Sequence, residues 1–166
     1  MLFNKLKPQI KRLLSLFILL TAFNSFALAE DDVAKVVYHA DFSDPIRFST
    51  MLQNIFNMTT TYENELRDYD IRVVFIATGI RFITHDNLKG SPIEADKKFK
   101  KERADFMKRL ASLQEIRGVK LELCTITLKA FGLNAATLIK DVTLVPSGVV
   151  QVADLQHKGF AYLKIQ

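Results

Sequence analysis

The sequence predicts a three-layer α/β/α domain built on a mostly parallel, five-stranded sheet. Short runs of β-branched and aromatic residues alternate along the chain with segments whose apolar residues have helical spacing. The first two runs, KVVYHA at residues 35–40 and IRVVFIA at residues 71–77, show little polar alternation. That pattern is typical of central parallel strands covered on both faces.

The first helix is predicted between these two strands. Asp44 can cap its first turn, and Pro45 suits the first helical position. Apolar residues then recur at three- and four-residue spacing from Phe48 to Phe56, so one face of the helix packs on the sheet. Residues 78–92 follow the second strand and contain two glycines and a proline, which predicts a long loop.

The second half of the chain predicts three more strands. A charged helix over residues 93–116 ends at Gly118, and its charged residues predict a solvated face. The next strand, residues 119–123, alternates apolar and charged residues, which favours a half-exposed strand. The remaining predicted elements are helices at residues 125–131, 134–139 and 149–157, strands at residues 142–145 and 160–165, and a turn at residues 146–148.

An export signal is predicted over residues 1–29. Four basic residues in the first twelve positions precede a mostly apolar stretch at residues 13–23, and Ala27 and Ala29 suit a signal peptidase. The stretch is shorter than the roughly 20 residues of a membrane-spanning helix. We therefore expect cleavage after Ala29, one domain over residues 30–166, a periplasmic location and no membrane attachment afterwards.

The charge of the mature chain argues against nucleic-acid binding. The full chain has 23 basic and 18 acidic residues, a formal net charge of +5, and the four basic residues of the predicted signal have no acidic counterpart there. Without those four, 19 basic residues remain against 18 acidic ones. Little net charge is then left to attract a polyanion.

Candidate site residues follow from the predicted topology, because sites in open α/β sheets form at the carboxyl ends of the strands. The candidates after successive strands are His39, Asp41, Thr78, Gly79, Cys124, Ser147 and Gly148. We expect them to form a strand-end pocket. No dinucleotide fingerprint, phosphate-binding loop or serine-hydrolase motif accompanies them, so no cofactor is expected.

Cys124 is the only cysteine of the chain, and three interpretations of it stay open. In an oxidising compartment a single cysteine cannot close an intramolecular disulfide bond. The residue is therefore a buried inert thiol, one half of an intermolecular bridge, or a functional group. Its position before a short helix favours the thiolate, because the start of a helix offers partial positive charge and free amide groups.

His39 could act as a base or as a partner for the Cys124 thiolate. If the second strand lies between the first and the third, two spacings of about 4.8 Å separate the two residues, which favours a structural histidine. A metal site formed by His39, Asp41, His85 and Cys124 is a further alternative. No pair among them has the sequence spacing of metal ligands, so no metal is expected.

Three segments resemble a known family. The segment GVKLELCTITLKAFGL, residues 118–133, resembles the cysteine-bearing segment of DsrE-type subunits in cytoplasmic sulfur-relay complexes. KVVYHAD near the start and SGVVQVADLQHKGFAYLKI at the end resemble the first strand and the closing helix and strand of secreted DsrE/DsrF-like proteins. The resemblance implies a DsrEFH-like α/β fold, a homo-oligomer, and a role for Cys124 as acceptor of sulfane sulfur. The export signal is a departure from the relay members.

The sequence thus predicts a periplasmic protein that carries or binds sulfane sulfur, as a persulfide, through Cys124. The expected partners are further copies of the chain and a protein that donates or accepts the sulfur. The alternative is a non-catalytic oligomeric module of the same fold that binds a ligand or a partner, with Cys124 as a structural residue.

Overall fold

The computed structural model describes residues 33–166. The elements in chain order are β1 (Ala34–Ala40), α1 (Pro45–Asn64), β2 (Tyr69–Phe75), a 3-10 helix (Ala77–Phe82), α2 (Lys97–Arg117), β3 (Lys120–Cys124), α3 (Thr125–Ala130), a second 3-10 helix (Ala135–Thr137), β4 (Val142–Val145), α4 (Gly148–His157) and β5 (Ala161–Leu163). All five predicted strands are present.

The sheet has the strand order β4-β3-β2-β1-β5, and every pairing is parallel. Side chains alternate across it, so Tyr38 of β1 lies in the core beneath α1 and α2, whereas Val37 packs with residues of α4 on the other face. The predicted three-layer α/β/α fold is therefore confirmed.

The larger core is built on aromatic residues. The rings of Phe48 and Phe82 stack with their centroids 3.9 Å apart, and Phe106 meets both edge-on at 5.2 and 5.8 Å. Such pairs contribute about 0.5–1.5 kcal/mol each beyond the burial of their area. Phe82 belongs to the 3-10 helix that follows β2, so this cluster anchors the segment at the carboxyl end of β2 to the core.

The prediction of a long loop over residues 78–92 is wrong for residues 78–82, which are helical. For the later residues it does not include the side chain that holds them in place. Ala77–Phe82 forms a 3-10 helix. Further along, the guanidinium of Arg103 donates hydrogen bonds to the carbonyl oxygens of Asp86, at 2.6 Å, and His85, at 3.4 Å. Arg103 is 6% exposed, so the prediction of a solvated charged face also fails at this residue. A buried cation that binds backbone carbonyls orders the segment.

The prediction that β3 is half exposed is wrong. The strand lies between β2 and β4, and Glu122 in its centre is 4% exposed. Its carboxylate accepts a hydrogen bond from Arg72 at 3.0 Å and another from Gln151 at 2.7 Å. A charged residue in an alternating pattern predicts solvent exposure, but Glu122 has buried partners that satisfy its charge.

Two element boundaries differ from the prediction. Helix α2 begins four residues later than expected, at Lys97, because the carboxylate of Asp96 accepts the amide hydrogen bond that caps the helix, at 2.7 Å. The helical piece predicted at residues 134–139 is only the short 3-10 helix Ala135–Thr137. Gly118 ends α2 as predicted, with a left-handed φ of 63° that glycine adopts without steric cost.

The predicted export signal, residues 1–29, lies outside the described residues. The compact unit, Val33–Gln166, falls within the predicted domain of residues 30–166. None of the helices in residues 33–166 combines the length and the hydropathy that a membrane span requires.

Candidate functional site

The carboxyl ends of β1, β2 and β3 lie side by side at one edge of the sheet. Helix α4 covers one face of the sheet there. His39 pairs with Val74 of β2, which in turn pairs with Glu122 of β3. Their side chains alternate with residues of the larger core, so His39 and Cys124 both lie on the α4 face with β2 between them. We call Cys124 with Ile76, Thr127 and Gly148 the thiol end of this edge, and His39 with Asp41, Tyr162 and Lys164 the histidine end.

Cys124 forms part of the wall of a pocket of about 410 Å³. The residue is 4% exposed, so the pocket reaches only a small part of its surface. None of the lining residues carries a charge. The lining consists of Ile76, Ala77, Thr78, Cys124, Ile126, Thr127, Ala130, Phe131, Ser147 and Val149. The thiol is therefore shielded from bulk water but adjoins a space that suits an apolar group.

Polar donors converge on the sulfur of Cys124. Burial raises the pKa of the thiol, but the amide of Gly148, the amide and hydroxyl of Thr127 and the amide of Ile126 together bring the pKa below its ordinary value. The side chain forms no regular capping hydrogen bond with α3, so the effect is the sum of several weak donors around the atom. This environment favours the thiolate, the nucleophilic form of cysteine.

Thr127 also holds the end of β2 beside the thiol. Its hydroxyl oxygen accepts a hydrogen bond from the amide of Ala77 at 2.9 Å. Ala77 has a φ of 49°, in the left-handed region that residues with a side chain seldom adopt, at a cost of about 1 kcal/mol. A strained residue thus lies in the pocket wall, and Thr127 contacts both it and Cys124.

The histidine end is a cluster of polar groups in which Nε2 of His39 is buried without a hydrogen-bond partner among the described residues. Nδ1 of His39 lies 3.0 Å from the hydroxyl of Tyr162, and Nε2 lies 3.9 Å from Oδ2 of Asp41. The ammonium of Lys164 donates to the same carboxylate oxygen at 2.8 Å. Burial lowers the pKa of His39, and the nearby carboxylate of Asp41 offsets only part of that effect. The imidazole is therefore neutral near pH 7.

Three of the predicted site residues lie with Cys124. Thr78 and Ser147 line the same pocket. Gly148 approaches so closely that a Cβ added to it would lie 3.0 Å from Cβ of Cys124. The residues predicted after three different strands are therefore neighbours at the thiol end, while their role in binding stays a prediction.

The other predicted residues do not join them. His39 contacts Tyr162 and Asp41, and in the described residues no contact links it to Cys124. Gly79 is absent from the pocket lining. A Cβ added to it would lie 2.0 Å from the carbonyl oxygen of Ala40. Gly79 thus allows two backbone segments to pack together. The hypothesis that His39 assists the thiol has no support from this geometry.

Sequence reasoning missed most of the pocket wall. Ile126 and Val149 lie in the first turns of α3 and α4 and are 61% and 65% exposed. The sequence shows that both residues are apolar and that each follows a predicted strand closely. It does not show which side of each first turn faces solvent. Ile76, Ala130 and Phe131 complete the apolar wall.

The groups around the thiol are hydrogen-bond donors, which suit a thiolate. In residues 33–166 no three side chains among histidine, cysteine, aspartate and glutamate come together as a metal site. His85 is exposed. The neighbours that lower the pKa of Cys124 are amides and a hydroxyl, which stabilise a negative sulfur.

These features define the class: an α/β protein with a wholly parallel sheet and one thiol in an apolar pocket at the carboxyl ends of its strands. The sequence pattern of one family matches residues 22–165. The chain belongs to the DsrE/DsrF-like family. The resemblance seen in the sequence is thereby confirmed.

Two solved structures share the fold. A protein of unknown function from Methanobacterium thermoautotrophicum aligns with 25% identity and a TM-score of 0.61, over 79% of this chain and 98% of its own. The ychN protein from E. coli aligns with 16% identity and a TM-score of 0.52, over 80% of this chain and 100% of its own. A comparison with curated proteins gives no match. The structural neighbours therefore support the fold and leave the chemistry to the site itself.

Proposed function

We propose that this protein accepts sulfane sulfur on Cys124 as a persulfide and passes it on. The observation that carries the proposal is the placement of the one thiol in the wall of a pocket, among donors that lower its pKa. Membership of the DsrE/DsrF-like family supports a role of the sulfur-relay type. In this role the protein is a carrier: it receives the sulfur atom on Cys124 and releases the same atom, in the same oxidation state, to an acceptor.

The transfer needs only the thiolate and a persulfide donor. The sulfur of Cys124 attacks the outer sulfur of the donor, so a new S–S bond forms at Cys124 while the S–S bond of the donor breaks. The donor leaves as a thiolate that takes the electron pair of the broken bond, and its proton comes from solvent. Transfer to an acceptor repeats the step in reverse. No external oxidant or reductant takes part.

The pocket and its rim suit a donor that presents its sulfur on an uncharged group. The lining contains no charged residue that could bind an anionic donor such as thiosulfate. Around the mouth, Ile126 and Val149 expose apolar surface beside Val150, which is 54% exposed. Exposed apolar patches of this kind mark contacts with other proteins. We therefore propose a partner protein as the physiological donor or acceptor.

The proposal also includes the compartment and the assembly. An export signal over residues 1–29 would deliver the chain to the periplasm. A homo-oligomer is part of the proposal, as expected for a chain of this family. Light scattering on the purified protein tests the assembly, and a wholly monomeric species would remove this part without touching the chemistry of Cys124.

The decisive experiment is sulfur uptake measured by intact mass. The purified protein is exposed to a neutral alkyl persulfide, and we expect a gain of the mass of one sulfur atom that dithiothreitol reverses. Cys124→Ser is expected to gain nothing, because a hydroxyl is not ionised at this pH. His39→Ala serves as the matched control at the other end of the edge and should gain as much sulfur as the wild type. Equal uptake by Cys124→Ser and wild type would refute the proposal.

A second candidate function is a binding module in which Cys124 is structural. The observation that favours it is the 4% exposure of the residue, together with the exposed apolar rim. In that case the thiol would resist both the persulfide and alkylating reagents until the protein unfolds. Uptake of sulfur by the folded protein would exclude this alternative.

A further inference from the structure

A buried carboxylate lies two residues before the thiol on the same face of β3. Glu122 is 4% exposed, and one of its oxygens accepts a hydrogen bond from the side-chain amide of Gln151 at 2.7 Å. Gln151 belongs to α4. Its backbone amide donates to the backbone carbonyl of Ser147 at 3.0 Å, and this hydrogen bond closes the first turn of the helix. The carboxylate therefore holds the turn with which α4 begins.

The same turn reaches the sulfur. Gly148 is the first residue of α4, and a Cβ added to it would lie 3.0 Å from Cβ of Cys124. Its amide is among the groups that lower the pKa of the thiol. Ser147, which precedes it, makes no side-chain capping hydrogen bond, so its hydroxyl does not occupy the amides with which the helix begins. The first turn of α4 thus meets β3 at two points, Gln151 on Glu122 and Gly148 on Cys124.

The far side of the carboxylate is fixed as well. The second oxygen of Glu122 accepts from Arg72 at 3.0 Å, and Arg72 in turn pairs with Asp70 at 2.9 Å. The ring of Phe160 lies under the guanidinium, 5.1 Å away. A carboxylate held from β2 in this way cannot follow Gln151 if the helix moves, so it acts as a fixed anchor.

We propose that Gln151 is a positioning residue: its hydrogen bond to Glu122 holds the first turn of α4 so that the amide of Gly148 stays at the sulfur of Cys124. This inference rests on the proposed function of Cys124, because it describes how the reactive form of that thiol is maintained. Gln151 does not line the pocket, so it acts through Gly148 and not on the sulfur donor.

The test is the pH dependence of alkylation of Cys124 by iodoacetamide in the purified, folded protein. Gln151→Met keeps the volume of the side chain and removes the donor. We expect the pKa of the thiol to rise and the alkylation rate at neutral pH to fall by about three- to tenfold. The matched control is Gln156→Met, a change at an exposed glutamine of the same helix, which should leave the pH profile unchanged.

Circular dichroism and thermal unfolding of each variant show whether it is folded. If Gln151→Met does not fold, Gln151→Asn gives a milder change that keeps the amide but shortens its reach, and the pKa should move in the same direction. An unchanged profile in a folded Gln151 variant overturns the inference. Sulfur uptake is measured separately: a wild type that takes up no sulfur, while Gln151→Met still shifts the pKa, would refute the proposed function and leave the positioning role intact.

Discussion

The thiol end and the histidine end lie on the same face of one sheet edge, yet they balance their polar groups differently. At the histidine end, the carboxylate of Asp41 is paired with Lys164, and Tyr162 meets the ring of His39. At the thiol end, amides and a hydroxyl surround Cys124, and no charged residue lines the pocket.

The difference teaches where chemistry can occur on this edge. At the histidine end the charges of Asp41 and Lys164 pair with each other, although Nε2 of His39 is buried without a hydrogen-bond partner in the described residues. Donors around an atom that can become negative favour the reactive state of that atom. His39, which the sequence offered as a possible base but favoured as a structural histidine, lies at the histidine end, and the thiol carries the proposed function.

The largest effect on this comparison is expected from Gly148→Ala. The added Cβ would lie 2.5 Å from Cγ1 of Ile76 and 2.7 Å from its Cδ1, so α4 or Ile76 has to move away from the thiol end. We expect the free energy of unfolding to fall by about 1–3 kcal/mol. With the amide displaced, the alkylation rate of Cys124 near pH 7 should fall by about tenfold. Chemical denaturation and the alkylation rate measure the two effects.

Val150→Ala is the matched control for that change, because it alters an exposed residue in the same turn of α4. It should change both quantities only slightly. If Gly148→Ala keeps the alkylation rate of the wild type while it loses stability, the amide of Gly148 has no part in the reactivity of Cys124, and the contrast between the two ends disappears.

A smaller effect, on stability alone, is expected from Asp41→Asn at the histidine end. Burial raises the pKa of Asp41, but the hydrogen bond from Lys164 and the charges of His39 and Lys164 bring it below the ordinary value in the folded protein. A carboxyl group with a lowered folded pKa adds stability above its unfolded pKa, near about 4, and loses it as the pH falls through the folded value. We expect a loss of about 0.5–1 kcal/mol at pH 7, with the alkylation rate of Cys124 unchanged.

The pH series checks the sign of that prediction. The difference in unfolding free energy between Asp41→Asn and the wild type should shrink as the pH falls from about 4 through the lower folded pKa of Asp41, below which both side chains are neutral. A slower alkylation of Cys124 in this variant would show that the two ends are coupled, contrary to the separation by β2.

The fold was largely predictable from local patterns. Both central strands, the cap at Asp44 and the stop at Gly118 are local features whose physical cause lies within a few residues. Cys124 was placed correctly at a strand end for the same reason. Its position follows from the alternating strand pattern before it and from a short helix that is followed by Gly132 after it.

The misses have their cause in distant contacts. Glu122 is buried because Arg72 and Gln151, far away in the sequence, supply its partners. The segment after β2 is ordered by Arg103 of the following helix and by the aromatic core around Phe82. No local pattern reveals that a charged residue has such a partner, so these features emerge only in three dimensions.

The central claim is that Cys124 is both reachable and more readily ionised in the folded protein than in the unfolded chain. The most direct measurement is the pH profile of its alkylation by iodoacetamide, recorded with and without denaturing urea, between about pH 5 and pH 10. We predict that the folded protein reacts without denaturant and that its profile has a lower pKa than that of the unfolded chain. A thiol that reacts only after unfolding, or whose folded pKa is the higher of the two, would contradict this account.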